Sequence, residues 1–149
     1  LVEYNAVTPF LYSNNDPNMN FAHAGQPLAH PMGAAFNELV VIMDLRIKKK
    51  FWAQCKINQA MRRTDPTDAD AFGGDIFKPG IEQVVSEAPI DRRTTYLDLS
   101  FSRLMNQMTN MRVTAGWQYR DVTPGPVTEN ASYFYVGFRT GLFNRYYDL

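Results

Sequence analysis

Residues 39–48 read Leu-Val-Val-Ile-Met-Asp-Leu-Arg-Ile-Lys, and every charged side chain in this stretch occupies an even position. The odd positions hold only apolar residues, namely Leu39, Val41, Met43, Leu45 and Ile47. Successive side chains of a β-strand point to opposite faces. The stretch therefore predicts a strand with one apolar face and one face that carries both signs of charge.

The same alternation recurs along the chain and predicts an all-β, antiparallel protein of about six strands. The predicted strands are about Val2–Tyr12, Phe36–Lys48, Phe51–Ala60, about Thr95–Leu104, Met111–Arg120, and a last strand that begins near Ser132. The shared apolar face holds Leu39, Val41, Met43, Leu45, Ile47, Leu97, Leu99, Phe101, Met111, Val113, Trp117, Phe134, Val136 and Phe138. The polar face holds Glu38, Asp44, Arg46, Lys56, Asp98, Arg112 and Arg139.

The connections between these strands alternate in length. Short turns are expected at Lys48–Lys50 and around Met105–Gln107, and long loops at 13–35, 61–94 and 121–131. This alternation favours a transmembrane β-barrel with short periplasmic turns and long outer loops, apolar toward lipid and polar toward the lumen. Trp117 and Tyr119 near the outer end of their strand, and Phe51 near an inner end, would occupy aromatic girdle positions. The alternative is a soluble antiparallel β-sandwich that binds a ligand or partner.

Six strands do not close a membrane barrel, because the smallest such barrels have about eight. Open strand edges in lipid would leave backbone groups without hydrogen-bond partners. We therefore expect residues 1–149 to be part of one larger barrel domain. The remaining wall would come from upstream in a longer polypeptide, or from other chains.

Composition excludes several classes of protein. Fifteen basic and fifteen acidic residues give a net charge of zero, which argues against a nucleic-acid partner. The single cysteine, Cys55, excludes an internal disulfide and any multi-cysteine metal site. Neither a catalytic triad nor a phosphate-binding glycine loop stands out, and there is no pair of catalytic carboxylates. We expect no enzymatic activity and no cofactor.

The segment from Asn20 to His30 is the candidate binding loop. Asn20, His23, Gln26 and His30 carry hydrogen-bonding groups that suit sugar hydroxyls. A second interpretation stays open, in which the segment folds inward as a structural plug or rim and its histidines hydrogen-bond to backbone carbonyls. A metal site is not expected here, because no third ligand has suitable spacing. Asp65, Asp68 and Asp70 form an acidic loop that we expect to face outward, where solvation is a more common outcome than Ca²⁺ binding.

Three motifs resemble the Wzi family of capsule-assembly outer-membrane proteins. Glu3-Tyr4 through Thr8-Pro9-Phe10 and Tyr12-Ser13 is similar to that family's E-Y-x-x-x-x-P-[FWY]-x-Y-[ST] segment. Phe21–Gly33 resembles its loop of the form Y-x-H-x-G-x-P-L-x-H-P-L-G. The ending Gly137–Leu149 resembles the C-termini of relatives from the Bacteroidetes, some of which are linked to gliding motility. Ala24, Met32 and Leu149 depart from the family's commoner residues, Leu149 standing where an aromatic residue is usual.

The resemblance implies a barrel of about eighteen strands in the outer membrane of a Gram-negative bacterium, with this chain as its C-terminal third. It implies a protein that binds surface polysaccharide and helps to hold a capsule on the cell. A second possibility within the membrane class is an accessory barrel of a gliding-motility or protein-secretion complex. The loops of such a barrel would contact other outer-membrane proteins instead of sugar.

Overall fold

The computed structural model describes residues 1–85, 88–124 and 129–141, and one antiparallel sheet of six strands dominates them. The strands of this sheet are β1 (Val2–Val7), β4 (Phe36–Ile47), β5 (Phe51–Thr64), β6 (Ile90–Asn106), β7 (Met111–Thr123) and β8 (Glu129–Arg139). The β1–β4 connection contains a 3-10 turn, Pro17–Met19, and a small hairpin of β2 (Ala22–His23) and β3 (Gln26–Pro27). These ranges include no helix with the length and apolar character needed to cross a membrane. The prediction of an all-β, antiparallel fold is confirmed.

Strands that follow each other in the chain are neighbours in the sheet, in the order β1-β4-β5-β6-β7-β8. This is an up-and-down arrangement, and β1 and β8 form its two edges. The described part of the sheet is not closed. One row of directly opposed residues runs across five strands through Ile42, Lys56, Asp98, Gln118 and Tyr133. Opposed residues share a face, so the register fixes which side chains lie together.

Several strand boundaries differ from the predicted ones. β1 ends at Val7 because the chain turns at Pro9 and Phe10, where Phe10 adopts a positive φ of 63°. β5 and β6 continue past the alternating segment, and their last pair is Thr64 with Ile90. Backbone pairing continues there because ladder hydrogen bonds do not depend on the side-chain pattern.

The position expected for Trp117 is wrong. β7 extends to Thr123, so Trp117 lies in the middle of its strand, opposite Leu99 on one side and Phe134 on the other. Tyr119 lies two residues further toward the long-loop end, on the same face. Leu142, Gly125 and Pro126, together with most of the C-terminal motif, lie outside the described residues.

The apolar residues share one face of the sheet, and that face is open. Leu99 is 41% exposed, Leu45 61% and Phe134 84%. Val41, on the same face, is partly exposed. No element in the described ranges packs over these residues. Within these ranges the sheet therefore has no second layer of the kind that a β-sandwich requires.

The buried core lies on the opposite, polar face, at the end where the long loops emerge. Phe36, Ala60 and Val122 are buried strand residues on this face. Two connecting segments cover them, residues 8–35 and 65–85, which we call the loop cap. Its buried apolar residues are Ala34, Ala35, Ala71, Phe72 and Ile76.

The two segments of the loop cap are tied together by backbone contacts at Gly73 and Gly74. The Phe10 amide donates to the Gly73 carbonyl at 3.1 Å, and the Ala34 amide donates to the Gly74 carbonyl at 3.4 Å. A Cβ on Gly74 would lie 2.2 Å from the Arg63 carbonyl oxygen, so only glycine fits here. The cap is thus a packed layer over the polar face.

Candidate functional site

His30 anchors the loop cap to the sheet. Its Nδ1 accepts a hydrogen bond from the Met32 amide at 3.2 Å, and its Nε2 lies 3.1 Å from Glu38 Oε2. Because Nδ1 is an acceptor, the neutral ring carries its proton on Nε2 and donates it to the carboxylate. The imidazole also packs on Phe36, with ring centroids 4.5 Å apart.

Glu38 has hydrogen-bond partners on both neighbouring strands, β1 and β5, and in the cap. Its Oε1 accepts from Asn58 Nδ2 at 2.7 Å, and its Oε2 accepts from Asn5 Nδ2 at 3.1 Å. The residue is only 7% exposed, and these donors satisfy its buried charge. His30 therefore has a structural role in this geometry, because a carboxylate and a backbone amide hold its ring.

His23 and Gln26 are placed differently. They are directly opposed in the β2–β3 hairpin, and both are exposed. Ala24 and Gly25 form the hairpin turn with positive φ angles of 50° and 73°. The hairpin thus presents two free polar side chains at its tip.

Asn20 occupies a third environment. It is buried in the loop cap, where its Oδ1 accepts from the Asn14 amide at 2.5 Å. Its buried Nδ2 has no hydrogen-bond partner in the described structure. The structure therefore brings together only His23 and Gln26 of the four loop candidates.

An aromatic pair accompanies this hairpin and was missed by sequence reasoning. The rings of Tyr12 and Phe21 lie 5.7 Å apart, and Phe21 is 52% exposed. The Phe21 amide donates to the Tyr12 carbonyl at 3.0 Å, which holds the two residues in register. An exposed ring beside free polar groups is a common composition of ligand sites. The only sequence signal was that both residues belong to the family-like motifs.

The acidic segment does not face outward as expected. Asp70 is fully buried, and its carboxylate accepts from the amides of Thr67 at 3.1 Å and Val85 at 2.7 Å. Asp65 accepts from the Phe72 amide at 2.9 Å and pairs with Lys78 at 2.8 Å. Only Asp68 of the three acidic residues is exposed. Asp65 and Asp70 therefore hold the loop cap together, and the described residues contain no group of three metal-ligating side chains.

Asp98 is the centre of a second network, on the polar face away from the cap. It is 8% exposed and accepts from Gln118 Nε2 at 2.9 Å, from the Tyr135 hydroxyl at 3.1 Å and from the Tyr96 hydroxyl at 3.3 Å. Tyr135 reaches Asp98 across β7, where a Cβ on Gly116 would lie within 2.6 Å of its ring. The network joins β6, β7 and β8 and fills this face with hydrogen bonds.

A depression of about 350 Å³ lies beside this network, toward the short turns. Trp52 borders it, with the guanidinium carbon of Arg112 4.2 Å and that of Arg46 5.4 Å from its ring centre. These cation–π contacts hold both arginines on the polar face. A broader and more open depression of about 870 Å³ lies on the apolar face and is bordered by Met43, Cys55, Trp117 and Val136, among other residues.

No family model, curated protein sequence or solved structure matched the chain.

Proposed function

We propose that this chain forms part of the wall of an outer-membrane β-barrel of a Gram-negative bacterium. We propose further that the barrel binds surface polysaccharide at its long loops and so helps to hold a capsule on the cell. One observation carries the membrane placement: the apolar face of all six strands is open, while the packed core lies on the polar face. A lipid environment would make this distribution of apolar and polar side chains favourable.

The borders of the apolar face support the same placement. At the long-loop end, the apolar face meets a row of polar residues formed by Gln59, Thr95, Asp121 and Asn130. At the short-turn end, Phe51 lies opposite Arg103. The interval on β5 from Phe51 to Gln59 is nine residues, and a tilted strand crosses a bilayer in about 9–11 residues.

The indole of Trp117 also suits an apolar surrounding. Its Nε1 donates to the Ser132 hydroxyl at 2.8 Å, so the polar atom of this mid-strand side chain has a partner within the sheet. An unpaired indole N–H would be unfavourable in hydrocarbon. Tyr119 lies beside the polar border, where an aromatic ring with a hydroxyl can contact headgroups.

The open edges of β1 and β8 require more strands if the sheet lies in lipid. We propose that the rest of a longer polypeptide, or other chains, completes the wall. The motif resemblance favours a closed barrel of about eighteen strands.

Polysaccharide binding is proposed at the β2–β3 hairpin. His23 and Gln26 offer donors and acceptors for sugar hydroxyls, and the exposed ring of Phe21 offers an apolar surface. The same surface could serve an accessory barrel whose hairpin contacts a protein of a gliding or secretion complex.

Replacing both His23 and Gln26 with alanine is expected to weaken binding of the host's purified capsular polysaccharide by about tenfold, because two hydrogen bonds of about 0.5–1.5 kcal/mol each are lost. Binding of labelled polysaccharide to cells that express each variant measures the effect. Asp68→Ala is the matched control, since Asp68 is an exposed polar residue elsewhere in the cap. Unchanged binding in the double variant would remove the hairpin from the site. Absence of binding in the parent protein would favour the accessory barrel.

The depression of about 870 Å³ favours a second candidate, a soluble module whose apolar face takes a hydrophobic ligand or another protein layer. Extraction separates the two candidates. A membrane barrel stays in the outer-membrane fraction until detergent is added, whereas a soluble module is released by salt or carbonate.

A further inference from the structure

Charge is segregated along the strands of the sheet. The short-turn end comprises residues 44–54, 102–114 and 136–141. Its basic residues are Arg46, Lys48, Lys49, Lys50, Arg103, Arg112 and Arg139, and its only acidic residue is Asp44. Seven basic residues against one acidic residue give this end an excess of six positive charges, although the whole chain has no net charge.

These cations lack acidic partners among the described residues. The ion pairs among the described residues are His30–Glu38, Arg63–Asp91 and Lys78–Asp65, and all three lie toward the long-loop end of the sheet. Asp44 accepts a hydrogen bond from Gln54 at 2.5 Å. Clustered like charges repel each other, so an external anion would stabilise this end.

The β4–β5 turn concentrates the charge. It consists of Lys48, Lys49 and Lys50, all three exposed, and Lys48 adopts a positive φ of 58°. Three successive ammonium groups at the tip of this hairpin can therefore contact an anionic partner at the short-turn end of the sheet.

Arg103 extends the charge onto the apolar face. It is exposed, and its guanidinium carbon lies 5.6 Å from the ring centre of Phe51, which in turn stacks on Phe101 at 5.7 Å. A guanidinium at the border of an apolar band lies where phospholipid phosphates would be found. Arg46 and Arg112 differ, because their contacts with Trp52 hold them on the polar face.

We propose that Arg103 and the Lys48–Lys50 turn bind the phosphate groups of anionic phospholipids in the leaflet at the short-turn end. The inference rests on the proposed membrane placement. The planar guanidinium pairs with two phosphate oxygens, and the ammonium groups attract the net charge of the headgroup. A zwitterionic headgroup has a phosphate but no net charge, so the site prefers an anionic lipid.

The test compares phosphatidylglycerol with phosphatidylcholine as ligands of the purified protein in detergent, by native mass spectrometry. The parent protein is expected to bind phosphatidylglycerol about tenfold more tightly. Lys49→Gln with Arg103→Gln removes most of that preference. Arg93→Gln with Arg120→Gln, which removes the same charge from exposed residues toward the other end, retains it.

Equal binding of the two lipids by the parent protein, or equal loss of preference in both double variants, would overturn the inference. Tighter binding of soluble polyglutamate than of phosphatidylglycerol would also overturn it, and would assign the cations to an acidic protein partner. Refolding into phosphatidylcholine vesicles keeps the two proposals separate. Insertion without a lipid preference refutes only the phospholipid site, whereas failure to insert in any vesicle refutes the membrane placement.

Discussion

Replacing Leu99 with arginine is expected to lower the free energy of unfolding in lipid vesicles by about 2–4 kcal/mol, the usual cost of a charge at the centre of a barrel's lipid face. Leu99 lies in the middle row of the apolar face, opposite Cys55 and Trp117. Arginine at the neighbouring Ser100 is the matched control. It should cost less than about 1 kcal/mol, because Ser100 borders the polar depression beside Asp44 and Asp98. Unfolding in guanidinium chloride, followed by tryptophan fluorescence, measures both values.

The comparison also distinguishes lipid from water. Leu99 is 41% exposed, and substitutions at such positions of a soluble sheet usually change stability by less than about 0.5 kcal/mol. Small and equal effects at both positions would therefore place the apolar face in water.

Asp98→Ala is expected to lower the free energy of unfolding by about 3–5 kcal/mol. The substitution removes the acceptor of three hydrogen bonds, and a hydrogen bond to a charged group contributes about 1.5–3 kcal/mol, although neighbouring bonds are not additive. It also removes the carboxylate to which the partly buried hydroxyls of Tyr96 and Tyr135 donate. Equilibrium unfolding of the refolded protein measures the change.

Asp44→Ala is the control for this prediction. Asp44 is an exposed carboxylate on the same face, and Gln54 is the partner that donates to it. Its loss should cost about 1 kcal/mol or less. If Asp98→Ala lowered the free energy of unfolding no more than Asp44→Ala does, the Asp98 network would not contribute to the association of β6, β7 and β8.

The two faces of the sheet could be predicted because the side-chain period of a strand is fixed by backbone geometry. The change of phase in the last strand is an instructive case. Phe134, Val136 and Phe138 are even-numbered, yet the apolar pattern assigned them to the face of odd-numbered Trp117. The register pairs Trp117 with Phe134, which agrees with that assignment. The strand ends escaped prediction, since the pairing of Arg62 with Arg92 follows no apolar alternation.

The loop cap could not be predicted in detail, because its contacts depend on how two distant loops fold against each other. His30 and Gln26 are close in sequence, but His30 turns to Glu38 while Gln26 stays at the hairpin tip. Composition suggested a solvated acidic loop. Asp70 is instead buried, and its carboxylate accepts from the Thr67 amide three residues earlier and from the amide of Val85, whose approach the sequence does not predict.

Fluorescence quenching by brominated lipids tests most directly whether lipid covers the apolar face. The chain has two tryptophans, Trp117 on the apolar face and Trp52 on the polar face, so Trp52→Phe and Trp117→Phe each leave one reporter. With bromine placed in the acyl chains of reconstituted vesicles, the emission of Trp117 should be strongly quenched and that of Trp52 little changed. Equal quenching of the two reporters, or quenching of Trp52 alone, would contradict the membrane placement.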